Sequence, residues 1–328
     1  MTRTPFGIRG TGSATPERVL GNDDLERLVD TSDEWITQRT GIKQRRVVGE
    51  GESTSDLAIA AARRALEAAD MSADQLDLVI MATVTPDHHV PSTACKVQHA
   101  IGAENAAAFD MAAGCTGFIY GTNVASQYLW SGAAKNVMVI GGECLSRITN
   151  YTDRGSCILF GDAAGAVIYS RDFERGEVRS SKVEADGSGY DVMIIPAGAS
   201  ARALTPEGLA AHEDKLIIHG REVYKFAVSR FVELVRGEMA ANPDLELGAV
   251  VPHQVNMRII EAARERLDMP SEHIYTNIER FGNTSAGSVP LALDEARRSG
   301  FLDDKAGKLV VMCAFGAGLT WGSVGLRW

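Results

Sequence analysis

The chain has 328 residues, 45% of them hydrophobic and 23% charged, with a formal net charge of −10. It is long enough for two core-forming units or one large fused one, and its composition is that of an ordinary globular enzyme. The acidic balance argues against general nucleic-acid binding, no apolar run reaches the ~18 residues of a membrane span, and five cysteines without a C-x-x-C pair suit neither a disulfide framework nor a zinc knuckle.

The opening Met1–Gly7 lacks the apolar core of a signal peptide, so a cytoplasmic location is expected. Ser55–Asp70 begins on a capping residue and carries an apolar stripe at helical spacing, which predicts a helix. The β-branched run Leu76–Val84 predicts a buried strand. A helix over Thr93–Ile101, a strand over Ala106–Met111, a helix over Cys115–Trp130 and strands over Val137–Gly141 and Ala163–Tyr169 follow. After a seam near Ser170–Glu177, the stretch Asp186–Ala211 is rich in Gly, Ser, Ala and Pro and reads as a surface excursion. Helices over Glu222–Met239, Arg258–Leu267 and Ser285–Arg298 then alternate with strands over Leu247–Val251 and Lys308–Ala314, and Phe315–Trp328 reads as a glycine-rich turn and a last strand. The halves echo each other. Val137–Gly141 leads to F-G-D-A-A-G-A-V-I (Phe160–Ile168), and Leu309–Ala314 leads to F-G-A-G-L-T-W-G (Phe315–Gly322). The pattern predicts one α/β fold of two related halves, residues 1–172 and 173–328.

Three residues suggest chemistry. A lone cysteine is usually a small buried hydrophobe, but Cys115 follows a strand and Ala-Ala-Gly and opens a helix, where the helix dipole favours a thiolate. The other four cysteines lack that placement and are assigned to the core. His253 ends a buried strand, where α/β proteins collect ligands, or else only bonds the next turn. Asn283 precedes a helix and serves either as a turn residue or as a functional carboxamide. A thiol, an imidazole and a carboxamide suit acyl transfer through a thioester. His88 and His89 are adjacent on an extended segment and point apart, which disfavours a metal site. A papain-like hydrolase has the same residue order, but its cysteine signature and secretory context are missing here.

The motifs together resemble the β-ketoacyl-acyl-carrier-protein synthase III family of thiolase-like condensing enzymes, over nearly the whole chain. T-S-D-E-W-I-T-Q-R-T-G-I (Thr31–Ile42), G-C-T-G-F (Gly114–Phe118), Y-T-D-R-G-S (Tyr151–Ser156), F-G-D-A-A-G-A (Phe160–Ala166), P-H-Q-V-N (Pro252–Asn256), G-N-T-S-A-G-S (Gly282–Ser288) and F-G-A-G-L-T-W-G occur in the family's order. The resemblance implies a five-layer αβαβα thiolase-like fold. It also implies decarboxylative condensation of an acyl-CoA starter with malonyl-acyl-carrier protein at Cys115, His253 and Asn283, without metal or redox cofactor, as the first step of fatty-acid synthesis. The backbone N–H groups of Cys115 and Ala317 would form the oxyanion hole. Thr31, Trp35, Arg39, Arg154 and Asn256 would bind coenzyme A, which is a substrate. Lys225, Arg258, Arg264 and Arg266 would dock the carrier protein, with Glu265 weakening the patch. Val90, Leu145 and Phe160 would shape the acyl pocket, Val90 reaching it across a homodimer. The chain departs from the family pattern at Thr116, at Ala317 in place of a glycine, and at Val90 in place of a phenylalanine. An acyltransferase acting on an alcohol or amine, and a starter enzyme of a polyketide pathway, stay open as alternatives.

Overall fold

The computed structural model describes residues 4–328; Met1–Arg3, part of the opening segment read above, lie outside the described residues. The first half runs β1 (Gly7–Ala14), β2 (Val19–Gly21), α1 (Asn22–Leu25), α2 (Asp33–Thr40), β3 (Gln44–Arg46), α3 (Thr54–Ala68), β4 (Leu78–Ala82), α4 (Thr93–Ile101), β5 (Ala107–Met111), α5 (Gly117–Ser131), β6 (Asn136–Cys144) and β7 (Asp162–Ser170). The second runs β8 (Glu177–Ala185), β9 (Met193–Ile194), α6 (Pro206–Ala210), β10 (Ile217–Ile218), α7 (Gly220–Ala241), β11 (Leu247–Pro252), α8 (Met257–Arg266), α9 (Ile278–Phe281), α10 (Ser288–Arg298), β12 (Leu309–Gly316) and β13 (Thr320–Arg327).

One sheet has the order β1-β7-β6-β4-β5, the other β11-β12-β13-β8. The repeat seen in the sequence is visible in the pairing. β4 lies parallel to β6, which turns antiparallel into β7; β11 lies parallel to β12, which turns antiparallel into β13. Helices α5 and α10 pack against both sheets, α3 and α4 cover the first sheet's other face, and α7 and α8 cover the second's, giving five layers. The long buried strands have no polar alternation because helices cover both faces. Phe118, Ile119, Val139, Val289, Met312 and Val324 fill the space between the sheets, and each such side chain contributes about 1.5–3 kcal/mol by leaving water.

Helix α3 starts earlier than expected. Ser53, not Ser55, occupies the cap position, and Asp56 Oδ2 accepts from Ser53 N at 2.8 Å and from its hydroxyl at 2.7 Å. The predicted helices from Cys115 and Ser285 each open on a 3-10 turn, Gly114–Thr116 and Ser285–Gly287, before the α-helix begins. Strands β1 and β8 and helix α2 were not anticipated. Their glycines and charged residues hide a periodic signal. Cys144, Cys157 and Cys313 are buried as expected, but Cys95 is exposed, because it sits on the outer side of α4.

The central helix α10 is tied to β1 by a buried carboxylate. Asp294 Oδ1 accepts from Thr11 Oγ1 at 2.9 Å and Oδ2 from Ser13 Oγ at 2.6 Å, while the mostly exposed Arg298 reaches Oδ2 at 3.1 Å. Asp294→Ala leaves the buried Ser13 hydroxyl without its acceptor and Thr11 Oγ1 with only the bond it accepts from Arg297 at 3.0 Å, and we expect a loss of roughly 1–3 kcal/mol. A lower urea midpoint at unchanged slope measures it; little of the loss comes from the exposed ion pair.

Candidate active site

The nucleophile candidate is built by close backbone packing. Cys115 lies in the turn between β5 and α5. A Cβ on Gly316, at the end of β12, would stand 2.8 Å from Cys115 Cβ and 2.9 Å from its backbone nitrogen, so only glycine permits that approach. Across the turn, Ala317 N lies 3.3 Å from where a Gly114 Cβ would stand, which brings the Ala317 backbone beside the Cys115 turn. A Cβ on Gly141 of β6 would fall 2.0 Å from Ala286 O, so the turn Ser285–Gly287 sits directly on that strand.

Cys115 is not held as a thiolate, contrary to the expectation drawn from its place before a helix. Burial pushes its thiol up to about 11, the Glu143 carboxylate adds to the rise, and a hydrogen bond shared with the Ser285 hydroxyl only partly opposes them. The cysteine sits in a 3-10 turn and desolvation outweighs the helix terminus.

His253 ends up buried behind β11. Its ring has lost water without gaining an anion, which takes its pKa down to about 3, so the imidazole is neutral at physiological pH. Nδ1 lies 2.6 Å from Ser288 Oγ, and Nε2 is buried without a protein partner. Ser288 Oγ also accepts from Gln254 N at 3.4 Å, and among the described residues its own proton has no acceptor other than Nδ1, so it donates there. That network assigns the proton of the neutral ring to Nε2, which therefore points into the site as a donor.

Asn283 is fixed by its own backbone. Its N–H donates to Leu159 O at 2.8 Å and its carbonyl accepts from Gly161 N at 3.0 Å, a short bridge beside Phe160. Its Oδ1 accepts from Ser285 N at 2.9 Å, which orients the amide so that Nδ2 is the free donor end. Arg45, fully buried, supports this segment: it donates to Ile158 O at 2.6 Å and to Asn22 Oδ1 at 2.8 Å.

Of the predicted nucleotide residues, Trp35 and Arg39 lie on α2, Thr31 just before it and Asn256 at the start of α8, while Arg154 reaches Trp35 from the segment between β6 and β7. Gly41, which closes α2, meets Met257 so closely that a Cβ would stand 2.5 Å from Met257 Cβ. Arg39 and Arg154 place their guanidinium carbons 4.7 and 4.1 Å from the Trp35 ring centroid. Thr31 Oγ1 is buried without a partner. Asn256 caps α8, its Oδ1 accepting from Arg258 N at 2.9 Å.

The other assignments divide. Lys225, Arg258 and Arg266 are exposed. Arg264 is half-buried, pairs with Glu261 at 2.7 Å and donates to Met269 O, just past α8, at 3.0 Å. Leu145 and Phe160 are buried, but Val90 is 85% exposed.

Sequence reasoning missed Glu143, Ser285 and Ser288. Glu143 had a legible signal, a carboxylate inside the buried run Asn136–Cys144. Burial raises it to about 7.

The family model described as 3-oxoacyl-[acyl-carrier-protein (ACP)] synthase III matches residues 109–187, and its C-terminal counterpart matches residues 242–328. A beta-ketoacyl-[acyl-carrier-protein] synthase III of Caldanaerobacter subterraneus is 48% identical over 98% of this chain and 97% of its own. The crystal structure of the synthase III of Aquifex aeolicus superposes with a TM-score of 0.89 at 43% identity, covering 98% of this chain and all of that one. The priming ketosynthase of the R1128 polyketide pathway gives 0.89 at 32% identity, covering 99% of this chain and 96% of its own. A papain-like hydrolase is thereby set aside, since neither its fold nor its family matches. With five layers, a cysteine turn packed on Gly316, and a synthase III relative 48% identical over nearly its full length, the chain belongs to the beta-ketoacyl-[acyl-carrier-protein] synthase III family, condensing acyltransferases of the thiolase fold.

Proposed function

We propose that the two halves of the chain, 1–172 and 173–328, divide the work of a synthase III, the first supplying the nucleophile Cys115 and the second the donors His253 and Asn283. Acyl-CoA acylates Cys115, with the backbone N–H groups of Cys115 and Ala317 stabilising the oxyanion. Coenzyme A leaves, and malonyl-acyl-carrier protein takes its place. His253 Nε2–H and Asn283 Nδ2–H then hold the thioester carbonyl and stabilise the enolate formed on loss of carbon dioxide. The carbanion attacks acyl-Cys115 and yields 3-oxoacyl-carrier protein. The carrying observation is the pair of neutral donors: a buried imidazole with Nε2 unpartnered and a carboxamide whose oxygen is already engaged. Each step is assigned to protein groups, with no metal or redox cofactor. Trp35, Arg39, Arg154, Thr31 and Asn256 are the coenzyme A residues of this reading, and Lys225, Arg258 and Arg266 the carrier-docking cations of a cytoplasmic enzyme. The test is release of labelled carbon dioxide from malonyl-carrier protein together with formation of 3-oxoacyl product. Product must require both substrates; product without carbon dioxide would overturn the reading.

A second reading, priming of a polyketide pathway, is supported by the likeness to the R1128 ketosynthase. Side-by-side assays with a fatty-acid carrier and a polyketide carrier separate the two by kcat/KM.

A homodimer completes the proposal. Strand β5 ends the first sheet with one edge unpaired, and the adjoining loop presents an 85% exposed Val90; both are features a second copy would cover. Val90→Phe is then expected to shift preference toward shorter acyl-CoAs, because overfilling a packed cavity costs ~1–3 kcal/mol. The ratio of kcat/KM for a short and a long acyl-CoA measures it. An unchanged ratio removes Val90 from the pocket, and a monomer in sedimentation equilibrium removes the cross-dimer argument.

A further inference from the structure

The thiol of Cys115 needs a proton acceptor, and His253 is poorly arranged to be one. Its Nε2 carries the ring proton, and Nδ1 is taken by the Ser288 hydroxyl at 2.6 Å. A different group is connected to the sulfur. The Ser285 hydroxyl is hydrogen-bonded to Cys115 and donates to Glu143 Oε1 at 3.3 Å. Ser285 is held there in a left-handed conformation, φ 48°, which a side chain adopts only under constraint.

The two oxygens of Glu143 are not equivalent. Oε2 accepts from Thr83 Oγ1 at 3.0 Å, Thr85 Oγ1 at 2.6 Å and the backbone nitrogens of Val84 and Thr85, each at 3.1 Å. Thr85 Oγ1 also accepts from Cys144 N at 2.9 Å. Oε1 has only Val84 N at 3.1 Å and the Ser285 hydroxyl. Oε1 is therefore the less engaged oxygen, the better place for an arriving proton, and it faces Ser285. Apart from Cys115 itself, the ionisable neighbours are turned elsewhere. Cys144 is a buried thiol, Asp162 on β7 accepts from Ser146 and Val48, and Arg147 donates to Gly49 O and Glu52 O. Thr83 and Thr85 after β4 and Ala286 in the turn Ser285–Gly287 do not titrate.

We propose that Ser285 and Glu143 form the proton relay that activates Cys115, with Glu143 as the positioning acid–base group behind the Ser285 hydroxyl. This rests on the reading of Cys115 as the nucleophile. As the sulfur attacks the thioester carbonyl, its proton passes to Ser285 Oγ while the Ser285 proton passes to Glu143 Oε1. When the tetrahedral intermediate collapses, the carbon–sulfur bond to coenzyme A breaks. The proton returns through the same hydroxyl to the departing sulfur, which leaves as a thiol. Glu143 ends as a carboxylate and Cys115 as a thioester, so no external oxidant or reductant is needed. The raised pKa of Glu143, about 7, suits a base that must accept and return a proton near neutral pH.

The test is single-turnover acylation of Cys115 by acyl-CoA, followed by intact mass across pH. Wild-type acylation should rise through an inflection near 7 and level off. Glu143→Gln should lose the inflection and fall roughly 10²-fold at neutral pH, as expected for removal of a general base, while Glu143→Asp recovers part of the rate. A merely structural role would lower the amplitude and leave the profile's shape. Ser285→Gly removes the hydroxyl but keeps the left-handed turn; it carries the test if Glu143→Gln fails to fold, and should lose the inflection likewise. A folded Glu143→Gln or Ser285→Gly protein with the wild-type profile overturns the relay. A wild-type protein that takes no acyl group on Cys115 overturns the reading of the nucleophile instead.

Discussion

Cys115→Ala is expected to abolish condensation, by roughly 10⁴-fold or more, because no other group can carry the acyl chain between the two half-reactions. The same variant should still release carbon dioxide from malonyl-carrier protein. The donors His253 and Asn283 are held by the Ser288 hydroxyl, by the backbone of Leu159 and Gly161 and by the Ser285 backbone N–H, and none of these bonds is made to the sulfur. Intact mass after incubation with acyl-CoA should show one acyl group on the wild type and none on the variant. Acylation of the exposed Cys95, the other accessible thiol among the described residues, would overturn the assignment, as would a variant that condenses.

His253→Ala and Asn283→Ala should show the opposite pattern. Each removes one donor from the enolate, which costs roughly 10²–10³ in condensation rate, while acylation of Cys115 should persist. The pH dependence supports the division. His253, at about 3, stays neutral over the assay range, so its loss should lower the rate without moving any inflection near neutrality. Ser288→Ala frees Nδ1 to take the ring proton and should lower condensation in the same direction, by less than His253→Ala. Single-turnover acylation and steady-state condensation on the same preparations check all three. Equal loss in both steps would overturn the separation of roles.

The sequence carried the order of the fold and the three chemical residues because both depend on local pattern. Buried strands such as Val137–Gly141 declare themselves by unbroken apolar runs, and Cys115, His253 and Asn283 each mark a junction between a regular element and a turn. What stayed hidden depends on contacts made at long range. Nothing local to Ser285 says that it bridges Cys115 and Glu143, which lies 142 residues away. Nothing near Arg264 separates it from Arg266, though one is tied down by Glu261 and Met269. The charge state of Cys115 was misread for a related reason. Helix position is a sequence property, whereas the depth of burial that overrides it is fixed by Gly316 and by Ala286, packed on Gly141, from the other half of the chain.

The guanidinium group of Arg154, 4.1 Å from the Trp35 centroid, has a thermodynamic consequence for how ligands are told apart. A flat base can stack on that indole face only by exchange, since the arginine must first be displaced and its cation–π attraction of ~0.5–1 kcal/mol given up. A pantetheine thioester presented without a nucleotide leaves the pair intact. Binding of the nucleotide-bearing ligand is thereby weakened relative to the bare arm. On the proposed reading of Trp35 as the coenzyme A contact, the bias favours departure of the spent carrier.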